Sequence, residues 1–298
     1  MKYPHLTRIL SAEFPKLKLD ETTRDLDKIG MILINGKPMA IEEFMAMENP
    51  HIKGDFTLKK NEELTSLPKG LKVDGNFKAS NSSITSLPEG LKVGGYLDLD
   101  GTNITSLPEG LEVGGDLHLY GTKITSLPEG LEVAGSLWLN DTPITSLPED
   151  LKVGRNLLLS GTNITSLPGV LRVGGDLDLS YTRITSLPKG LKVGGSLWLA
   201  NTNITSLPES LEVSGSLYLW GSKITSLPKG LKIKGRLDLR NTPITSLPEG
   251  LEVGEDLYLM GTDITSLPED LKVGKDIKVE RPLFIECSDE LREKLTRD

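Results

Sequence analysis

Apolar residues return along this chain with a period of twenty residues. Within one period, Leu97 and Leu99 alternate with polar neighbours, and a second, shorter alternation carries Leu111 and Val113. Alternation of this kind predicts β-strands with one buried face. Between the two alternations stands the segment Ile-Thr-Ser-Leu-Pro, whose isoleucine and leucine are the remaining apolar positions of the period. Each period therefore supplies six aliphatic side chains for burial.

The Ile-Thr-Ser-Leu-Pro segment recurs from Ile84 to Ile264 without an insertion, and a variant that starts with leucine begins at Leu64. Repetition at such a period predicts a solenoid. Glycines and the proline mark the corners of a coil that turns back on itself. One coil cannot bury its own apolar edge, so stacking of successive coils creates the core. Each buried aliphatic side chain contributes roughly 1.5–3 kcal/mol of transfer free energy.

The order Leu-x-Leu-x-x-Thr-x-Ile-Thr-Ser-Leu-Pro resembles the leucine-rich repeat over about residues 52 to 280. It is most similar to the short bacterial form of roughly twenty residues known from secreted effector proteins. This resemblance implies a solenoid of about eleven coils with a parallel β-sheet on its concave face, and it suits a bacterial or phage origin.

Two features depart from that family. Thr102 and its equivalents occupy the asparagine position of the family, where their hydroxyls could form a ladder because a hydroxyl both donates and accepts. Gly94 and its equivalents fall on the leading leucine of the family pattern, while Leu111 and Val113 supply apolar side chains elsewhere. The missing leucine leaves a three-sided parallel β-helix as the alternative cross-section.

The first fifty residues lack the repeat and contain five of the six methionines. We predict an N-terminal α/β cap or docking module over residues 1–50. It would contain two short helices before residue 30, a hairpin with its turn at Asn35 and Gly36, and a helix over Ala40–Met47. Residues 51–280 are the predicted solenoid, and Phe56 and Leu58 replace the leucine pair in its first coil.

Residues 281–298 form the predicted C-terminal cap. We expect a short strand over Pro282–Ile285 and then a helix that Ser288 caps, with Leu291 and Leu295 on one face. Solenoids need such caps because an uncovered end exposes core and strand edge to solvent.

Two columns of the repeat vary freely while the framework stays fixed, so packing does not dictate their residues. One column lies between the two strand leucines, and the other directly follows the second leucine. All three tryptophans and three of the six tyrosines stand in these columns, and Tyr96 and Tyr181 flank them. We predict a protein-binding surface because such columns point outward from a leucine-rich-repeat sheet and because aromatic residues among polar ones are typical of recognition surfaces. The predicted contact residues are Tyr96, Asp98, His118, Tyr120, Trp138, Asp178, Trp198, Tyr218, Trp220, Asp238, Arg240 and Tyr258.

Two other columns have simpler interpretations. The residue between Leu111 and Val113 is Lys, Arg or Glu in every copy from Lys72 to Lys272. This pattern predicts a solvated spine that discourages lateral strand pairing. The column of Thr105 resembles an ice-binding array, but it is single and has an irregular, charged border.

Composition narrows the function. The net charge of -8 argues against a nucleic-acid or anionic-membrane surface. The single cysteine, Cys287, suits a reducing compartment, and no signal peptide or apolar span of membrane length stands in the sequence. We therefore expect a cytoplasmic protein, with export without a cleaved signal as an alternative. The three histidines are scattered, and no catalytic, metal-ligand or cofactor motif stands out.

The sequence thus predicts a non-enzymatic scaffold that binds another protein, without cofactor or metal. The alternative is a structural role in which coils or caps join copies of the chain, as a homo-oligomer or within a larger particle. Ice binding is a distant third hypothesis.

Overall fold

The computed structural model describes residues 31–58, 64–280 and 285–297. Over the repeat, each coil contributes two short strands, and equivalent strands of successive coils pair in parallel. The predicted parallel-strand solenoid is confirmed. Two strands per coil, within the described residues, do not give the three faces of the alternative β-helix. The helices predicted before residue 30 lie outside the described residues.

The main sheet has thirteen strands, the last of which belongs to the C-terminal tail, so the coils number twelve. Equivalent residues face each other, with Leu117 between Leu97 and Leu137. This register follows from the period, because any slip would turn the leucines toward solvent. The strands are Phe56–Thr57, Phe77–Lys78, Leu97–Asp98, Leu117–His118, Leu137–Trp138, Leu157–Leu158, Leu177–Asp178, Leu197–Trp198, Leu217–Tyr218, Leu237–Asp238, Leu257–Tyr258, Ile277–Val279 and Leu295–Arg297.

The second alternation of each coil forms two minor sheets, of nine and three strands. Its outward residue is charged and its inward residue is Val or Ile, as in Glu112–Val113. The nine strands are His51–Ile52, Lys72–Val73, Lys92–Val93, Glu112–Val113, Glu132–Val133, Lys152–Val153, Arg172–Val173, Lys192–Val193 and Glu212–Val213. The three strands are Lys232–Ile233, Glu252–Val253 and Lys272–Val273.

The core is one continuous aliphatic column. Leu97, Leu99 and Ile104 are fully buried, and Leu107 and Leu111 are nearly so. The predicted burial of the framework positions is therefore confirmed. The column ends at the N-terminal side in aromatic rings, because Phe56 and Phe77 pair in register and their rings lie 5.0 Å apart.

The described N-terminal residues form a hairpin and one short helix. Strands Met31–Ile34 and Lys37–Ala40 pair antiparallel around a turn in which Asn35 and Gly36 have φ angles of 52° and 75°. The predicted hairpin is present, since this turn type needs two residues that tolerate positive φ. Helix α1, Ile41–Met45, is shorter than predicted and buries Phe44 against Phe56, with ring centroids 5.8 Å apart. That contact supports a capping role, which stays a prediction for residues 1–50.

The C-terminal tail differs from its prediction. Helix α2, Asp289–Lys294, starts as expected, with Ser288 Oγ accepting from the backbone N–H of Leu291. The expected helical position of Leu295 is wrong, because Leu295–Arg297 is a strand parallel to Ile277–Val279. The chain leaves the helix there and pairs the edge that the last coil would otherwise expose. Most of the predicted strand over Pro282–Ile285 lies outside the described residues.

The predicted threonine ladder between coils is also wrong. The Thr102 hydroxyl is buried and donates within its own coil, to the backbone carbonyl of Leu99 at 2.7 Å. Seven equivalents make the same bond, namely Thr122, Thr142, Thr162, Thr182, Thr202, Thr242 and Thr262. These residues close a tight turn after the second strand leucine, which is why a short side chain with a hydroxyl is needed there.

A ladder between coils does exist, in the column directly before the first strand leucine. Asn156 shows the pattern: its Oδ1 accepts from the backbone N–H of Asp176 in the next coil at 2.8 Å. The repeat pattern does not reveal this column because its residues vary, although most are Asp, Asn or Ser and so share an acceptor oxygen. The acceptors are Asp55, Asn76, Asp116, Ser136, Asn156, Asp176, Ser196, Ser216 and Asp256.

This ladder explains one column of glycines. A Cβ placed on Gly175 would lie 2.2 Å from Asn156 Oδ1, and one on Gly195 would lie 2.2 Å from Asp176 Oδ1. The acceptor of one coil thus occupies the space that a side chain of the next coil would need. Close approach, and not backbone conformation, therefore favours glycine in this column, although Arg155, Glu255 and Lys275 stand at three of its positions.

We expect Gly175→Ala to lower the free energy of unfolding by about 1–3 kcal/mol, because the new methyl group displaces the Asn156 side chain and weakens its hydrogen bond. The matched control is Gly169→Ala, where a Cβ meets no atom within 4 Å and φ is not positive. Urea unfolding followed by circular dichroism measures both. Equal effects of the two substitutions would contradict the close-approach explanation.

Ser222 provides a test of the buried hydroxyl. Its Oγ makes no hydrogen bond among the described residues, whereas threonine hydroxyls at equivalent positions do. We expect Ser222→Thr to raise the free energy of unfolding by about 0.5–1.5 kcal/mol, because the added methyl fills the site and fixes the hydroxyl toward Leu219. Thr242→Ser should lower it in the same unfolding assay, and a Ser222→Thr protein no more stable than the wild type would refute the explanation.

Candidate functional site

The two variable columns lie on the outer face of the main sheet, beside the buried leucines. Their side chains range from exposed to buried. Tyr120 and Trp138 are exposed, whereas most of the predicted contact residues are half-buried by the equivalent residues of the coils above and below. The structure divides the predicted set into three groups along the solenoid.

The first group, called the Tyr96 group, comprises Tyr96, His118 and Trp138 with their neighbours Asp98 and Tyr120. The rings of Tyr96 and His118 stack with centroids 6.0 Å apart, and those of His118 and Trp138 at 5.0 Å. His118 and Trp138 are in register on strands about 4.8 Å apart, which places their rings one above the other. Tyr96 stands directly before the strand of the preceding coil, and its ring joins the row from that neighbouring column. Each ring therefore restricts the rotation of the next.

Acidic residues support the Tyr96 group from the adjacent turn. Asp98 Oδ1 accepts from the backbone N–H of Asp100 at 3.1 Å, and Asp100 Oδ1 accepts from that of Tyr120 at 2.7 Å. Burial raises the pKa of the Asp100 carboxyl above its usual range, although the bond from Tyr120 opposes this. Ligand atoms of Asp98, Asp100 and His118 lie within 4.8 Å of one another. The hydrogen bonds already account for both carboxylates as supports of the backbone.

The second group, called the Trp198 group, comprises Trp198, Tyr218, Trp220 and Tyr181. Trp198 and Tyr218 stack almost face to face at 3.8 Å, while Tyr181 meets Trp220 edge-on at 6.1 Å. Ala200 is buried in this region. Tyr181 was not among the predicted contact residues. The signal that could have identified it is that its column otherwise holds only Gly, Asn or Asp from Asn81 to Gly261.

The third group, called the Arg240 group, comprises Asp238, Arg240 and Tyr258. Asp238 is only 2% exposed, so its expected role as an accessible contact is not supported by its position. The Arg240 guanidinium covers it, with Nη2 at 2.6 Å and Nε at 2.9 Å from the carboxylate oxygens. The same guanidinium lies 5.3 Å from the centre of the Tyr258 ring, a cation–π distance.

Asp178, the remaining predicted residue, lies between the groups. Its Oδ1 accepts from the backbone N–H of Ser180 at 2.9 Å. Asp98 and Asp238 make the same bond two residues along the chain. Aspartate therefore supports the turn at all three of its positions in this column, and the positions between them hold aromatic residues, a histidine and a leucine.

The charged column of the minor sheets is exposed, as predicted, except at Glu252, which is half-buried. Opposite charges of adjacent coils pair, as Lys92 with Glu112 at 2.6 Å and Lys192 with Glu212 at 2.7 Å. Exposed pairs contribute little to stability. This column therefore offers positions for control substitutions away from the aromatic groups.

Comparisons with known proteins give a likeness of fold. No family model matches the chain, and no curated protein sequence matches it. Among solved structures, it is similar to YopM, a leucine-rich effector protein from Yersinia pestis, at 17% identity and a TM-score of 0.42, over 82% of this chain and 88% of that one. It is also similar to a leucine-rich-repeat protein of Leptospira interrogans, at 18% identity and a TM-score of 0.41, over 94% and 98% of the two chains. YopM from Yersinia enterocolitica shares 17% identity over 82% and 91%, with a TM-score of 0.23.

At these identities no residue role passes from those proteins to this chain. Its own twenty-residue coils and parallel sheets form the repeat solenoid that the sequence predicted. Among the residues that the structure describes, no helix has the length and apolar character needed to cross a bilayer.

The Arg240 group yields a test of its own. We expect Arg240→Met to lower the free energy of unfolding by about 2 kcal/mol, because it leaves the buried Asp238 carboxylate without its partner. The double substitution Asp238→Asn with Arg240→Met should recover most of that loss, since no buried charge remains. Urea unfolding of the three proteins measures both effects. A double variant as unstable as Arg240→Met would show that lost packing, and not the unpaired charge, is responsible.

Proposed function

We propose that this chain is a non-enzymatic scaffold that binds a protein partner through the Tyr96 and Trp198 groups on the outer face of the main sheet. Its solenoid fold supplies a long, rigid surface, and the variable columns supply the contacts. No cofactor or metal is part of this proposal.

The observation that carries the proposal is the stacking of aromatic rings from successive coils. Trp198 and Tyr218 hold each other at 3.8 Å, and His118 lies between Tyr96 and Trp138. Rings fixed before binding lose little side-chain entropy when a partner arrives. Tryptophan and tyrosine are also the residues that most often dominate binding energy at protein interfaces.

The chemistry around the rings favours a protein partner over a nucleic acid. The net charge is -8, and carboxylates such as Asp98 and Asp178 lie within the same columns. A phosphate backbone would meet repulsion there. Aromatic rings bordered by mixed polar groups suit the apolar centre and polar rim of a protein interface.

We expect the triple substitution Trp138→Ala, Trp198→Ala and Trp220→Ala to abolish binding, with a loss of about 2 kcal/mol or more for each tryptophan that acts as an anchor. The matched control is Glu132→Ala, Lys152→Ala and Lys192→Ala on the minor sheet. Affinity capture followed by quantitative mass spectrometry compares the proteins retained by wild type, variant and control. Thermal unfolding verifies that all three chains are folded.

The informative result is a protein that wild type and control both retain and that the tryptophan variant loses. If every specifically captured protein binds the tryptophan variant as strongly as the wild type, the outer face of the main sheet is not the binding surface.

A second candidate function is assembly of copies of the chain, and the end of the main sheet favours it. Among the described residues, Leu295–Arg297 is the outermost strand and pairs only with Ile277–Val279. Such an edge can pair with another chain. Light scattering at two protein concentrations separates the two functions, because assembly predicts a mass that rises with concentration. Ice binding gains no support, since the exposed Thr105 column remains a single row beside Asn103 and Lys123.

A further inference from the structure

Tyr181 adopts a backbone conformation that tyrosine avoids. Its φ angle is +59°, in the left-handed region. The nine equivalent residues share this conformation, and all of them are Gly, Asn or Asp, which tolerate it: Asn81, Gly101, Gly121, Asp141, Gly161, Asn201, Gly221, Asn241 and Gly261. A bulky aromatic residue with positive φ is an outlier whose strain the rest of the structure must offset.

The fold gains little from this residue. The Tyr181 side chain is 56% exposed, and among the described residues the only aromatic ring that it contacts is Trp220, which it meets edge-on. The turn itself needs only the backbone of Tyr181, whose N–H donates to the carbonyl of Ala200 at 2.9 Å. Gly161, the equivalent residue one coil earlier, makes the same bond to the carbonyl of Ser180 without any side chain. Strain that stabilises nothing inside a protein points to a contact outside it.

The surroundings of Tyr181 and Trp220 define what could bind there. Ala200, on the coil between them, is 1% exposed, so the two rings form an apolar patch without a deep pocket. Arg183 follows Tyr181 by two residues on the same turn, and Lys223 holds the equivalent place two coils further on. Both side chains are exposed, and within the described residues neither forms an ion pair.

An apolar patch with two uncommitted cations beside it complements a segment that combines an apolar side chain with carboxylates. Two cations are too few to hold an extended phosphate backbone. An acidic protein segment therefore fits the patch better than a nucleic acid does.

We propose that Tyr181 and Trp220 are the anchor of the binding surface and that they receive an apolar or aromatic side chain from an acidic protein segment, with Arg183 and Lys223 pairing its carboxylates. This proposal rests on the proposed function of the main sheet and adds the location of the anchor and the chemistry of the partner.

We expect Tyr181→Gly to raise thermal stability and to weaken binding. Tyr181→Gly removes the strain, and we expect the thermal midpoint to rise by about 2 °C. Glycine is the right replacement, and Asn or Asp is not. Each Asn or Asp in this column lies over a glycine of the next coil, as Asn201 Oδ1 lies over Gly221, whereas Tyr181 is followed in the column by Asn201. The control Gly121→Tyr places a tyrosine in the same conformation, where a Cβ meets no atom within 4 Å, and should lower the midpoint. A lower midpoint for Tyr181→Gly would assign Tyr181 a structural role and overturn the proposal.

Binding is probed with a displayed library of short random peptides selected on the full-length wild-type chain. We expect the enriched peptides to combine a large apolar residue with Asp or Glu and to lose about tenfold in affinity with Tyr181→Gly and with Arg183→Glu. A fluorescent single-stranded oligonucleotide is titrated in parallel, and its binding at the same residues would overturn the choice of an acidic protein segment.

The two proposals fail in different ways. Peptides that bind Tyr181→Gly unchanged but lose affinity with Trp138→Ala would keep the main sheet as the binding surface and remove the anchor from Tyr181. Peptides that bind both variants unchanged would overturn both proposals. Enriched peptides that are basic or uncharged would overturn the predicted chemistry of the partner.

Discussion

In-register pairing of equivalent backbone positions is the constraint on which the other features of this solenoid depend. Leu97, Leu117 and Leu137 lie one above another, at a spacing set by strand hydrogen bonds. Each strand residue therefore lies directly over the residue of its own column in the next coil. Aliphatic columns gain burial from this geometry. In polar, charged and aromatic columns, each side chain must instead fit beside the equivalent side chain of the next coil, about 4.8 Å away.

The consequences differ from column to column. Acceptors such as Asn156 reach the backbone of the next coil, and at Gly175 this approach leaves no room for a Cβ. Aromatic residues such as Trp198 and Tyr218 stack instead, because flat rings fit the coil spacing. The same rule thus produces the structural ladder within the solenoid and the organised rings on its surface.

Tyr181 is the one residue of its column whose type does not suit the left-handed turn, and it singles out one part of the outer surface. Every other residue of its column suits a left-handed turn, so the strain of this tyrosine marks the place where selection for stability alone would have chosen glycine. Local strain of this kind is common where a protein must present a side chain to a partner. The aromatic columns supply a long surface, and Tyr181 with Trp220 distinguishes one part of it.

The sequence alone determined the solenoid, its period, its buried framework and the outward position of the variable columns, because all of these follow from a periodic apolar pattern that only one register can bury. It could not determine which varied residues cooperate. The ladder through Asn156, the cover of Arg240 over Asp238 and the pairing of Tyr181 with Trp220 join residues of different coils. The strand at Leu295 likewise depends on an edge that the last coil leaves open. These contacts could not be read from the repeat pattern. The repeat specifies the residue type at each position, whereas the stacking of coils decides which side chains become neighbours.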